Sequence, residues 1–190
     1  MSGAPIRRSL AVLAALTLFG AIPGNVRCDS EQPMPEEAAC LLNFSRFIEW
    51  PSAAFQNPGA PFVIGVIGKN PFGIDLARMA WQESARGRAL VVRELHPGDD
   101  LRGCQILFIG AADEKLVARI LASVNGSSVL TVSDAPGFVN WGGMIEFSRQ
   151  GDHVRFSVND IAVKRAGIKA SANLLQLASE VIESAGVETN

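Results

Sequence analysis

The apolar run Phe62–Ile67 constrains the fold of this chain more than any other segment. A strand with apolar residues on both faces is typical of the centre of a parallel sheet that is covered on both sides. Similar strand patterns occur at 89–95, 104–109 and 129–132, and helix patterns occur from 71 to about 85 and from 113 to about 125. This alternation predicts a three-layer α/β domain with a mainly parallel central sheet and helices on both of its faces.

Two alternating segments late in the chain, 142–147 and 154–159, predict a β-hairpin whose turn contains Gly151. Asn159 and Asp160 follow and are suited to cap a final helix, which Gly167 would divide into two pieces. An amphipathic face is expected to continue that helix, and it consists of Leu174, Leu175, Leu177, Ala178, Val181 and Ile182. The predicted domain is therefore residues 36–183, with an antiparallel hairpin and a final helix at its C-terminal end.

An earlier helix is predicted to begin at Glu36, because Leu41, Phe44 and Ile48 recur at helical spacing. Pro51 forces the residue before it out of helical geometry, so this helix is expected to end there.

The first 28 residues predict export to the periplasm. Arg7 and Arg8 precede the apolar stretch 10–22, which is shorter than the ~20 residues that a membrane-spanning helix needs. We expect a cleaved signal peptide with its cleavage site near residue 24; an uncleaved anchor is the alternative. Removing these residues leaves 14 basic residues (17 minus 3) against 19 acidic ones, a net charge of −5. A mildly acidic domain is a poor match for nucleic acid.

The chain has three cysteines, Cys28, Cys40 and Cys104, which is an odd number for a compartment that permits disulfides. Cys40 and Cys104 could form a disulfide, or all three could be free or buried. The cysteines are far apart in sequence and the chain has two histidines, His96 and His153, so no metal site is predicted.

The turn from Gly68 to Gly73 joins a predicted strand to a predicted helix, the position at which backbone N–H groups bind phosphate in other α/β proteins. It lacks both the Walker lysine pattern and the three-glycine dinucleotide pattern. It is predicted to be a tight capped turn; a weak anion or small-ligand site formed by Gly68, Lys69, Asn70 and Gly73 is the alternative.

The acidic pairs Asp99–Asp100 and Asp113–Glu114 are explained by a loop and a helix start. The sequence has no nucleophile elbow and no recognisable pair of catalytic acids. We therefore predict neither an enzyme nor a cofactor. Phe138 and Trp141 lie in a loop after the fourth predicted strand, where they either close the core or are exposed anchors for a protein partner.

Five segments, taken together, resemble the YfiR family across about residues 36–183. They are 39–51, 66–73, 103–109, 142–147 and 154–159. The resemblance implies a periplasmic, dimeric protein that represses a membrane-bound diguanylate cyclase of the YfiN type by binding its periplasmic sensor domain. An outer-membrane lipoprotein of the YfiB type relieves that repression, and the result is control of cyclic-di-GMP and biofilm formation. The second hypothesis is a periplasmic small-ligand-binding sensor domain that works with a sensor kinase or a transporter.

The resemblance also implies where the partner binds: the hairpin and the start of the last helix, around Ile145, Ser157 and Val163. Some family members pair a cysteine of the first strand with one at the position of Cys104, whereas Gly65 stands in that place here. The second cysteine pair, expected in 142–147, is absent from this sequence as well. Disulfide-controlled switching is therefore not expected to carry over.

Overall fold

The computed structural model describes residues 35–183, which lie within one compact unit. The predicted signal peptide, its cleavage site and Cys28 lie outside the described residues. The helices are α1 (Pro35–Phe47), α2 (Asp75–Trp81), α3 (Glu114–Ser123), α4 (Asp160–Arg165) and α5 (Ala172–Leu177). The strands are β1 (Ile48–Glu49), β2 (Phe62–Gly68), β3 (Ser84–Ala85), β4 (Arg88–Leu95), β5 (Ile106–Gly110), β6 (Leu130–Ser133), β7 (Ile145–Gln150), β8 (His153–Asn159), β9 (Lys169–Ala170) and β10 (Glu180–Ile182).

Within these residues, eight strands form one sheet in the order β10-β8-β7-β6-β5-β2-β4-β3. The neighbours from β4 to β7 are parallel, β8 is antiparallel to β7, and β10 is parallel to β8. A second, two-stranded antiparallel sheet pairs β1 with β9. The prediction of a mainly parallel sheet extended by an antiparallel hairpin is confirmed.

Strand β2 is buried on both faces, and its side chains enter two different cores. Ile64 and Val66 join the first core, which α1, α2, α4 and α5 cover; Ile67 joins the second core, which α3 covers. Strand β5 alternates in the same way, since Phe108 belongs to the first core and Ile109 to the second. Helices therefore cover both faces of the sheet, and the three-layer arrangement is confirmed.

The helix expected from 71 to about 85 is shorter than predicted. Asn70 does not cap it; its side chain accepts a hydrogen bond from the N–H of Phe72 and closes a turn, and α2 begins only at Asp75. After Trp81 the chain turns into the small hairpin β3–β4, with positive φ at Arg86 (52°) and Gly87 (78°). Two consecutive positive φ values are characteristic of a two-residue hairpin turn.

The C-terminal helix is also shorter than predicted. Asn159 caps α4 by accepting a hydrogen bond from the N–H of Ala162, and the chain breaks near Gly167, both as expected. Helix α5, however, ends at Leu177, and Ser179 then donates from its N–H and its hydroxyl to the Phe156 carbonyl, both at 2.9 Å. These bonds hold the chain beside β8, so Val181 and Ile182 are in a strand and not in the predicted helix.

Helix α1 ends at Phe47, before Pro51, and Ile48 belongs to β1. The N–H of Ser171 donates to the Phe47 carbonyl at 2.9 Å. After Phe47 the chain therefore pairs with β9 and does not continue the helix for another turn. In the part of the chain that the structure describes, no helix combines the length and the apolar character needed to cross a membrane.

Candidate functional site

The loop 134–144, between β6 and β7, is held down by two side chains of the hairpin. The Glu146 carboxylate accepts hydrogen bonds from the N–H groups of Gly137 (3.1 Å) and Val139 (3.2 Å). The Asn159 side chain donates to the Val139 carbonyl (3.0 Å) and also caps α4 through Ala162. Loop, hairpin and α4 are therefore joined into one surface region, which we call the hairpin–loop region.

Phe138 is the buried centre of this loop. Its side chain is 0% exposed and belongs to the second core. A Cβ atom at Gly143 would overlap the Phe138 ring, which explains why glycine occupies this position. Phe138 thus closes the core, and the alternative of an exposed anchor is wrong for this residue. Trp141 is half-buried and packs against the edge of the same core, so part of its ring faces solvent.

Ile145 and Val163 are 0% exposed and lie in the first core, which corrects the prediction that they contact a partner directly. Ile145 points to the same side of the hairpin as the core residue Phe147, because alternate side chains of a strand face the same side. Val163 lies on the buried side of α4.

Ser157 lies on the opposite, open face of the hairpin and is half-buried. It pairs in register with Glu146, and the next pair on this face, Ser148 and Arg155, is exposed. The accessible part of the hairpin–loop region therefore includes Trp141 and a polar strip formed by Ser148, Arg155 and Ser157.

The turn from Gly68 to Gly73 is not arranged to bind an anion. The N–H of Lys69 donates to the Gly110 carbonyl (2.8 Å), and the N–H of Phe72 donates to Asn70. The Asn70 amide in turn donates to the Glu94 carboxylate (2.7 Å), which places a negative charge beside the turn. The groove next to it has a volume of about 200 Å³, below the roughly 300–1,000 Å³ of most small-ligand sites. This geometry does not favour the small-ligand hypothesis.

Cys40 and Cys104 are both free, so the structure contains no disulfide between them. Cys40 packs against the first core, whereas Cys104 lies next to Gly65 on the side of the second core, and the sheet separates them. Burial raises the pKa of the Cys104 thiol to about 11, which keeps it protonated and unreactive. Burial, and then the nearby Glu36 and Glu37 charges, also raise the pKa of Cys40.

Gly65 lies where the resemblance places the missing cysteine. A Cβ built on Gly65 would be 2.8 Å from the Cys104 sulfur. Gly65 is therefore adjacent to Cys104 in the structure.

Two organising residues were missed by the sequence analysis, Glu146 and Gln105. The buried Gln105 side chain accepts from the N–H of Val63 (2.8 Å) and donates to the Ala54 carbonyl (2.7 Å). Its backbone carbonyl accepts from the Trp50 indole (3.2 Å). The sequence did contain a signal for Gln105, since it is a lone polar residue at the start of an apolar strand. A buried side-chain amide at such a position needs hydrogen-bond partners.

The acidic candidates have local structural roles. Asp99 accepts from the N–H of His96, Asp100 caps the short 3₁₀ helix Leu101–Gly103, and Asp113 caps α3. Among the described residues, no three His, Cys, Asp or Glu side chains are grouped closely enough to hold a metal ion.

The sequence profile of the YfiR/HmsC-like family matches residues 36–179. The match covers nearly all of the described structure, including the hairpin–loop region and the segment that carries Cys104. The chain therefore belongs to the YfiR/HmsC-like family.

Proposed function

We propose that this protein is a periplasmic repressor of a membrane-bound diguanylate cyclase of the YfiN type, and that it acts by binding the cyclase's periplasmic sensor domain. The observation that carries the proposal is the family match, since the family consists of non-catalytic regulators linked to diguanylate cyclase signalling. Export by a cleaved signal peptide, a consequent lowering of cyclic-di-GMP and biofilm formation, and relief by a YfiB-type lipoprotein belong to the same proposal.

The sensor domain is proposed to bind the hairpin–loop region. The half-buried ring of Trp141 supplies an aromatic anchor, and Ser148, Arg155 and Ser157 supply a polar rim beside it. Aromatic and arginine side chains contribute most to binding energy at protein interfaces. The buried Ile145 and Val163 support this surface from below, and the protein is proposed to present it as a homodimer.

The first test is a pull-down of the tagged protein from host membranes with identification of the captured proteins. Recovery of a diguanylate cyclase with a periplasmic sensor domain is the expected result, and deletion of the gene should raise cellular cyclic-di-GMP. Recovery of a sensor kinase, together with unchanged cyclic-di-GMP after deletion of the gene, would show that the protein regulates a kinase instead of a cyclase. The absence of any specific membrane protein would contradict the binding role.

The binding surface is tested with Trp141→Ala and Arg155→Glu, using Arg119→Glu as the matched charge reversal on the exposed side of α3. We expect the first two variants to weaken capture of the cyclase by about tenfold or more, the range typical of interface hot spots. Arg119→Glu should bind like the unmodified protein. Equal capture by all three variants would show that the sensor domain binds elsewhere.

A further inference from the structure

The outer edge of β4 is open over most of its length. Strand β4 pairs with β2 along one side, but on the other side β3 covers only Arg88 and Ala89. Within residues 35–183, no strand pairs with residues 90–95 on that side. An open strand edge presents unsatisfied N–H and C=O groups and readily accepts another strand.

Apolar side chains lie beside this open edge. Trp81 is 88% exposed and Ile74 is 81% exposed, and both lie with Ala77 on one side of α2. Ala77, Trp81 and Glu83 form, with the β4 segment 89–92, the wall of an open and mainly apolar groove of about 470 Å³. Trp is mostly buried in proteins, so an indole exposed next to an apolar groove and an open strand indicates an interface.

We infer that this edge is the homodimer interface: β4 of one copy pairs antiparallel with β4 of a second copy, and each Trp81 covers the apolar edge of the other copy. A two-fold interface requires a surface that is complementary to itself. Here the protruding indole, the groove that can receive it and the open strand lie side by side in one chain. The assignment rests on the homodimer proposed above and is independent of which membrane protein is regulated.

The charges along the edge favour a second copy over an unrelated strand. Arg86, in the turn before β4, and Arg88, its first residue, make the beginning of this edge positive. The end of β4 carries Arg93 and Glu94, and the loop that follows adds Asp99 and Asp100, so this end of the edge is net negative. Antiparallel pairing of two copies places the positive end of each strand against the negative end of the other, whereas parallel pairing would place like charges together.

The test is the self-association of the protein expressed from its full-length sequence, measured by sedimentation equilibrium over a range of concentrations. Trp81→Lys removes the indole and adds a charge at a side chain that is exposed in the monomer. Leu177→Lys is the matched control, because Leu177 is 62% exposed and lies on α5, near the other end of the sheet. We expect Trp81→Lys to raise the dimer dissociation constant by about tenfold or more, and Leu177→Lys to change it less than about twofold.

Hydrogen exchange measured above and below the dissociation constant tests the strand pairing itself. Dimerisation should slow the exchange of amides in segment 90–95. The amides of the hairpin β7–β8 serve as the internal control and should exchange at an unchanged rate. A dimer that Trp81→Lys leaves intact would overturn the assigned surface, while the proposed homodimer would survive. A protein that stays monomeric up to about 100 μM would overturn both the assigned surface and the proposed homodimer. Slow exchange of 90–95 in such a monomer would show that residues of the same chain cover the edge.

Discussion

At the scale of single residues, the close approach of Gly65 to Cys104 has a direct experimental consequence. Gly65 lies in β2 and Cys104 lies just before β5, and both are next to the Leu95 and Leu107 side chains of the second core. Cys104 is 3% exposed, and its raised pKa leaves it a buried hydrophobic side chain rather than a nucleophile. One substitution should therefore convert an inert thiol into half of a disulfide.

Gly65→Cys is expected to form a disulfide with Cys104 under oxidising conditions. The 2.8 Å between the built Cβ and the Cys104 sulfur is close to the separation of about 3 Å that disulfide geometry imposes. The ends of the Leu95 and Leu107 side chains must move aside. Closing this loop should raise the free energy of unfolding by about 2–4 kcal/mol, measured by urea denaturation of the oxidised against the reduced variant. Gly65→Ser is the control of similar size. The variant has four cysteines in its full sequence, so the disulfide should leave two thiols that titrate in denaturant, and four titratable thiols after exposure to air would contradict the prediction.

Glu37 is a second residue whose environment has a measurable consequence. It is 6% exposed, and burial raises the pKa of its carboxyl above the usual 4.5; the Arg149 charge opposes this and the Asp134 charge adds to it. The folded protein therefore holds this proton more tightly than the unfolded chain does. By linkage, its contribution to stability is greatest at low pH and is lost as the pH rises from about 4.5 through the raised pKa.

Glu37→Gln should remove this part of the pH dependence. Between pH 4.5 and neutral pH, the unmodified protein should lose more of its free energy of unfolding than the variant does. Urea midpoints across that interval measure the difference. Glu114→Gln, an exposed first-turn acid of α3, should follow the unmodified protein. Identical curves for Glu37→Gln and the unmodified protein would show that the carboxyl titrates normally.

At the scale of elements, the hairpin β7–β8 organises the structure around it. Asn159 connects three elements, because it caps α4, donates to the loop carbonyl of Val139 and donates its N–H to the Met144 carbonyl (2.8 Å). Side chains that cap a helix and also satisfy a loop carbonyl are costly to replace, since each bond lost leaves a partly buried group unsatisfied.

Asn159→Ala is expected to lower the free energy of unfolding by about 2 kcal/mol, the sum expected for a lost cap and a lost loop hydrogen bond. It should also speed hydrogen exchange in the loop 134–144 more than in β2. Asn140→Ala changes an exposed residue of the same loop and should have little effect. If both variants unfold at the same urea concentration, Asn159 does not hold the loop.

The central strands and the hairpin could be predicted because their signals are local: continuous apolar runs, alternation and a glycine turn. The ends of α1, α2 and α5 could not, because distant pairing decides them. Ile48 leaves the helical period to pair with Ala170, and Val181 pairs with Val158. Helical periodicity in a short segment cannot reveal such a competitor, which lies more than a hundred residues away in the case of Ile48.

The hairpin that carries the candidate site was predictable, but the orientation of its side chains was not. The motif around Ile145 does form the hairpin, yet strand alternation sends Ile145 itself into the core and leaves Glu146 to hold the loop. Sequence identifies which residues alternate but not which face is covered. Only the position of α1 and α4 on one side of the sheet decides that Ser157 faces outward.

At the scale of the whole molecule, one sheet supplies the wall of both cores. The fluorescence of Trp50 should be sensitive to the first core, because its indole donates to the Gln105 carbonyl and its ring contacts Phe62 (4.9 Å between centroids). Trp141 reports on the second core. Because β2 and β5 send side chains into both cores, neither core can persist when the sheet is lost.

Urea unfolding should therefore be a single transition that has the same midpoint with every spectroscopic probe. Variants that keep only Trp50 or only Trp141, with phenylalanine at the other two tryptophans, should each show coincident midpoints by fluorescence and by far-ultraviolet circular dichroism. A variant that keeps only Trp81 should show a small fluorescence change, because that side chain is already 88% exposed in the folded state. Separate midpoints for the two probes in one variant would show that the cores unfold independently.

The pairing of β1 with β9 also determines at what stage of synthesis the chain can finish folding. Ile48 needs Ala170, and β8 needs β10 at Glu180–Ile182, so a chain that emerges from its N-terminal end lacks the last pieces of its sheet until nearly all of it has appeared. The first and last strands of the domain therefore have no partner until both ends of the domain have been synthesised, and the fold is completed only then.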